Sequence, residues 1–193
     1  MILLVLALII PVSSGDPSDL IEPGAGVGCV TLDMCRDEIA AAVGEDCLSD
    51  LTVQMGEGFT MEGTSIWEGT DRELVIVWND PETPGISEIR VTGSAWETVE
   101  GLHTGMTLVE VDSIIGEFQL LGFAWDYEGY ADLSNTCLAS GISMRFDAAD
   151  LSDEACWTAM EAVMGDGWFS SRDPGMIAFN PVLDVITVNA GDY

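Results

Sequence analysis

Two stretches of this chain repeat one pattern of apolar and polar positions. Residues 34–45 read MCRDEIAAAVGE and residues 106–117 read MTLVEVDSIIGE, 72 positions further on. Aligned without a gap, they share Met34/Met106, Glu38/Glu110, Gly44/Gly116 and Glu45/Glu117, and they match Ile39 to Val111 and Val43 to Ile115. The spacing predicts a short helix in each copy, the first over about 33–43, with Gly44 and Gly116 where a left-handed residue stops it. Thr107 and Glu110 fit a reciprocal capping box. In the first copy Cys35 stands in place of that threonine, so Asp33 is the expected cap.

The positions that follow alternate with period two, the mark of strands with one buried face. FTMEG (59–63) corresponds to FQLLG (118–122). LVIVWND (74–80) corresponds to GISMRFD (141–147), with Val75/Ile142, Val77/Met144 and Asp80/Asp147 in step. ISEIRVT (86–92) corresponds to LDVITVN (183–189), with Ile86/Leu183, Ile89/Ile186 and Val91/Val188 in step. The changing offsets give the first copy a longer helix-to-strand loop. They give the second an inserted helix near 151–165, which Ser152 or Asp150 could cap.

The expected fold is therefore α+β: two tandem helix-plus-antiparallel-sheet repeats with the helices packed on one sheet face. Repeat unit 1 spans 29–97 and repeat unit 2 spans 98–193, after a Gly- and Pro-rich lead-in loop at 15–28. The other sheet face is left free, and function is expected there.

The N-terminus, MILLVLALIIPVSSG, is an apolar run followed by small residues, which predicts a signal peptide at 1–14. It lacks the usual basic residue ahead of the apolar run. It is also too short for a stable membrane span, which needs about 20 apolar residues. Export follows as the expectation, to a periplasmic, cell-envelope or extracellular site. The chain has 34 Asp and Glu against five Arg, no Lys, and a net charge of −29. That charge repels phosphate backbones, so no nucleic-acid partner is expected. Five cysteines suit an oxidising compartment, and Cys137 with Cys156 and Cys29 with Cys47 are the candidate disulfides, with Cys35 as the alternative partner of Cys47.

Catalytic patterns are missing. His103 is the single histidine, with no nucleophile placed beside it by the sequence. Asp147, Asp150, Asp153 and Glu154 form an acid cluster without the spacing of a calcium loop. No catalytic, metal or cofactor residues are assigned. A binding surface is the more physical expectation. If Val75 and Val77 face the core, Ile76 and Trp78 face away, and Arg145 shares the side of Trp78 by the repeat. Arg90 alternates with Ile89 and Val91, and Trp125 and Tyr127 lie on one face of their strand. Trp78, Arg90, Trp125, Tyr127 and Arg145 are thus the candidate binding residues, of the types that dominate protein interfaces.

The phrase Gly101-Leu-His-Thr-Gly105-Met106-Thr107-Leu-Val-Glu110-Val111, echoed as Leu32-Asp33-Met34-Cys35 in the first copy, resembles a hallmark used twice in a broad group of uncharacterised exported bacterial proteins. The arrangement also resembles the fold of β-lactamase inhibitor proteins and of small outer-membrane assembly lipoproteins. That resemblance implies a concave sheet surface presented to a partner. The expected function is an exported, non-catalytic domain that binds a protein or peptide through its free sheet face. A structural, envelope-maintenance role is the alternative, and a small hydrolase or thiol redox protein is a third reading.

Overall fold

A computed structural model describes residues 19–79, 85–138 and 140–190. The expected signal peptide, the first residues of the lead-in and Asp80 lie outside the described residues. The strands are β1 (Ile21–Glu22), β2 (Gly26–Val27), β3 (Val30–Thr31), β4 (Leu48–Gly56), β5 (Phe59–Ile66), β6 (Leu74–Trp78), β7 (Ile86–Val91), β8 (Gln119–Leu121), β9 (Ala131–Asp132), β10 (Ile142–Asp147), β11 (Trp168–Ser170) and β12 (Val182–Asn189). The helices are α1 (Arg36–Val43), α2 (Leu108–Ile115), α3 (Glu154–Glu161) and α4 (Pro174–Phe179). The fold is α+β, built on a six-stranded antiparallel sheet in the order β10-β12-β7-β6-β5-β4, with two three-stranded sheets, β1-β2-β3 and β11-β8-β9.

The two copies join at the β7–β12 pair, in the middle of the large sheet. Ile89 lies opposite Val188 and Val91 opposite Ile186. Because Ile89 matches Ile186 and Val91 matches Val188 in the repeat, exchanging the copies maps this ladder onto itself. The junction behaves as the self-complementary interface of a two-fold dimer, held within one chain.

Strand register decides which residues form the core. Leu74 pairs with Val91 and Ile76 with Ile89, and these fully buried side chains share a face with Met144, Ile186 and Val188. One continuous core joins that face to Ile39 of α1, Leu108, Val111 and Ile115 of α2, Met160 of α3, and Met176 and Phe179 of α4. The apolar positions of α2 recur at three and four residues, so one stripe of the helix meets the sheet.

The pairing corrects the alignment of β6 with β10 by one residue. Ile76 pairs with Ile89, and Met144 pairs with Ile186, the repeat counterpart of Ile89. Ile76 therefore corresponds to Met144, Leu74 to Ile142, Trp78 to Phe146, and Val77 to Arg145. A slip of one residue moves every side chain of a strand to the other face. Ile76 and Trp78 thus stand on the helix side, and Val75 and Val77 on the opposite side.

Other expectations shift as well. The longer loop of the first copy holds β4, the longest strand among the described residues. The described part of the lead-in holds β1 and β2, and α4 and β11 join α3 in the insertion of the second copy. Thr107 caps α2 as expected, accepting from Glu110 N while Glu110 Oε2 accepts from Thr107 N at 2.8 Å. The cap of α1 is Cys35, not Asp33, with Glu38 Oε2 accepting from Cys35 N at 2.9 Å. The cap of α3 is Asp153, whose carboxylate accepts from Ala155 N, while Asp150 holds the turn at Ser152. Gly44 and Gly116 follow the first two helices with φ of 98° and 84°.

Candidate binding surface

The helix-free face begins with Val75 and Val77 on β6, Arg90 on β7, and Thr187 and Val185 on β12. It is not bare. Val77 is 0% exposed although no helix lies above it. The cover comes from the β4–β5 hairpin, which curls over this side. Val53 of β4 is buried and leans across Gly63. Arg90 donates from Nη1 to the Gln54 carbonyl at 3.4 Å and from Nη2 to Met55 Sδ at 3.1 Å, so β7 touches the far end of β4 across two intervening strands. Glu88 accepts from Arg90 Nε at 2.6 Å, which leaves a half-buried ion pair under the hairpin.

From the other side comes the loop between β8 and β9. Trp125 and Tyr127 sit here in turns, not on a strand. Their rings meet edge to face at a centroid distance of 5.4 Å, and Trp125 Nε1 donates to the Gly122 carbonyl at 3.0 Å. Tyr127 lies against Gly56 of the hairpin. The Glu57 carboxylate, hydrogen-bonded to the Tyr127 hydroxyl, raises that hydroxyl above its ordinary pKa. The hairpin tip and this loop therefore close over the concave side, and the sheet face expected to be free is largely covered by the chain itself.

Aromatic surface remains on the outside of this closure. Phe59, directly across the hairpin from Gly56, is 70% exposed, and Tyr127 and Tyr130 are 38% and 39% exposed. Tyr130 forms an isolated bridge with Arg145 of β10, and Phe146 N donates to the Gly129 carbonyl, so the loop is stitched to the sheet edge. Arg145 Nη2 donates to Asp184 Oδ2 at 2.6 Å. Burial lowers the pKa of Arg145, but the bond to Asp184 and the surrounding negative groups outweigh it and raise the net value.

Of the five residues read from the sequence, four therefore belong to one side of the protein: Arg90 under the hairpin, Trp125 and Tyr127 at its tip, and Arg145 at the neighbouring edge. Trp78 does not join them. Its indole Nε1 donates to Thr64 Oγ1 at 2.9 Å on the helix side, in a groove with Arg36 and Asp50. Phe59 and Tyr130 are additions that the sequence pattern does not mark. The pattern places Phe59 first in a core strand, and only its position at a hairpin tip exposes it.

The disulfide candidates are not joined: Cys29, Cys35, Cys47, Cys137 and Cys156 are all free, with Cys29, Cys35 and Cys137 exposed. Cys137 lies in a bend beyond β9 and Cys156 on α3, so the insertion is held through the pairing of β11 with β8 and the contact of α4 with α2 and not by a covalent tie. His103 Nδ1 donates to the Thr104 carbonyl at 2.9 Å. Among the described residues, no three His, Cys, Asp or Glu converge as metal ligands. No described helix is long and apolar enough to cross a membrane.

No family model matches the chain, and no curated protein matches it. A solved structure that it resembles is the uncharacterized protein yfeY from Escherichia coli, at 19% identity and a TM-score of 0.47, covering 86% of this chain and 97% of that one.

Proposed function

We propose that this chain is an exported, non-catalytic binding protein that engages a protein partner through the aromatic rim where the β4–β5 hairpin meets the β8–β9 loop. The observation that carries the reading is the joint exposure of Phe59, Tyr127 and Tyr130 next to Arg145. Aromatic side chains lose little conformational entropy on binding, and with arginine they make up most interface anchors. The rim is rigid on its inner side, where Tyr127 meets Gly56 and Arg90 holds the hairpin. A preordered surface of this kind spends less free energy on ordering when a partner arrives. Export is supported by the apolar leader pattern and the small residues that follow it.

The test is site-directed photocrosslinking in the native cell envelope. A photoreactive residue at position 59 or 130 is expected to trap one discrete partner, and the same residue at Trp157, exposed on the helix layer, is not. Phe59→Ser with Tyr130→Ser should abolish the adduct formed from position 127 without changing the melting temperature by more than a few degrees. Equal adducts from positions 59 and 157 would overturn the proposal.

A further inference from the structure

The strand that the first copy adds to the sheet leaves one edge open. β4 pairs with β5 on one side only. Among the described residues, no backbone hydrogen bond reaches the outer side of Ser49–Val53. The opposite end of the sheet is treated differently, since β10 is met by the Tyr130 bridge and the Gly129 carbonyl. A row of unpaired amides and carbonyls is a template for another strand, and proteins usually blunt it with lysine, proline or a cover. β4 has neither lysine nor proline, and Asp50 is its single charge.

Beside this edge, on the helix side, lies a groove of about 580 Å³ lined by Asp50, Leu51, Thr52, Glu62, Trp78 and Arg36. It exists because α1 is short and the first copy has no counterpart of α3 and α4 to cover β4 and β5. Its walls are built. Trp78 Nε1 donates to Thr64 Oγ1, and Thr64 Oγ1 donates to Asp50 Oδ1 at 3.0 Å. The one cation, Arg36, is already shared between Glu45 at 2.9 Å and Asp50 at 3.2 Å. Glu62 has no ion-pair partner among the described residues. An aromatic wall beside an unpaired carboxylate suits an ammonium or guanidinium group.

We propose that the outer edge of β4 takes up an extended, lysine- or arginine-bearing segment of a partner protein as an added strand, with one cationic side chain seated in the groove against Trp78 and Glu62. Main-chain bonds to the edge supply affinity, and the alternate side chains that point toward the groove supply selectivity. Charge selects this occupant. A second copy would bring a net charge of −29 against its equal and Asp50 toward Asp50, whereas a basic segment is attracted. The site is separate from the aromatic rim.

The experiment titrates the full chain against a blocked, fluorescein-labelled peptide of alternating lysine and valine, read by anisotropy. Comparators are the same peptide with glutamate for lysine and the lysine peptide N-methylated at alternate backbone amides. Saturable binding of the lysine peptide alone is expected, weakened about tenfold by Glu62→Gln and by Trp78→Ala and unchanged by Tyr127→Ala. Glu62 is exposed, so Glu62→Gln keeps the test decisive should Trp78→Ala fail to fold. Equal binding of the N-methylated peptide would mean charge attraction without strand addition and overturns the proposal, as does the absence of saturable binding. Loss with Tyr127→Ala but not with Glu62→Gln would place the peptide on the rim and also overturn it. A dimer that the peptide does not dissociate would assign the edge to a second copy and overturn it equally.

Discussion

Arg90 of β7 lies directly opposite Thr187 of β12, and the two are counterparts in the internal repeat. The pair sits on the pseudo-two-fold axis that relates the copies, so the axis crosses the sheet at a charged residue on one side and a small buried one on the other. The difference has a structural use. Arg90 holds the hairpin through Gln54 and Met55, and the hairpin belongs to the first copy alone. Arg90→Ala should loosen that hairpin more than it destabilises the sheet. Hydrogen exchange is expected to speed up at the β4–β5 tip, with little change in β7 and β12.

The register assignment predicts an asymmetry between neighbouring residues. Ile76 is fully buried against the helix layer, and Val75 is partly exposed on the opposite face. Ile76→Ala should cost about 2–5 kcal/mol, as large-to-small changes in cores do. Val75→Thr should cost far less. Urea titration of both variants checks the register, and equal losses would contradict it.

Gly129 is required for a different reason. Its φ is +67°, and a Cβ there would collide with the backbone carbonyl of Phe146. Neither the conformation nor the contact tolerates a side chain, so Gly129→Ala should detach the β8–β9 loop from β10. Gly58 at the hairpin tip also has a positive φ, of +80°, but open space around it. Gly58→Ala should therefore cost only about 1 kcal/mol, and thermal melts of the two variants should separate clearly.

Acid sensitivity is expected at the helix caps. The backbone N–H of Cys35 lowers the pKa of Glu38, and that of Thr107 lowers the pKa of Glu110, both from a starting value of 4.5. A carboxylate whose folded pKa lies below its unfolded one stabilises the fold above the unfolded pKa. It loses that contribution as the pH falls through the folded pKa. Glu110→Gln should thus be less stable than the parent at pH 7, with the difference shrinking below about pH 4.5. Thr107→Ala should cost about 1 kcal/mol. Protonating the remaining acids relieves self-repulsion and acts in the opposite direction, so the comparison is read as variant against parent at each pH.

Thiol chemistry gives a direct check on the cysteines. Five titratable thiols are expected in the denatured, reductant-free protein. In the native state Cys29, Cys35 and Cys137 should react with a disulfide reagent first, and the partly buried Cys47 and Cys156 later. A count of one would restore the two-disulfide arrangement.

Much of the architecture is present in local patterns. The repeat marks both helices, the Thr107 capping box, the two glycine stops and four strands that correspond between copies, β6 with β10 and β7 with β12, because helix caps and period-two alternation are set by neighbours in the chain. Its match of β5 to β8 fails, since β8 lies in the β11-β8-β9 sheet and does not pair with β10. What local pattern does not carry is register. LVIVW is apolar at every position, so alternation cannot say whether Val75 or Ile76 faces the helices, and only pairing with β7 decides it. The same limit misplaces Trp78 and aligns Arg145 with the wrong partner. β4 escapes the pattern because its sequence, LSDLTVQMG, has one face in water at a sheet edge and mixes polar with apolar residues. Closure of the concave side, the exposure of Phe59 and Tyr130, and the groove beside β4 arise from segments far apart in the chain. Side chains meet there because a sheet curls and a hairpin folds over it, and no periodicity along the sequence records that curl.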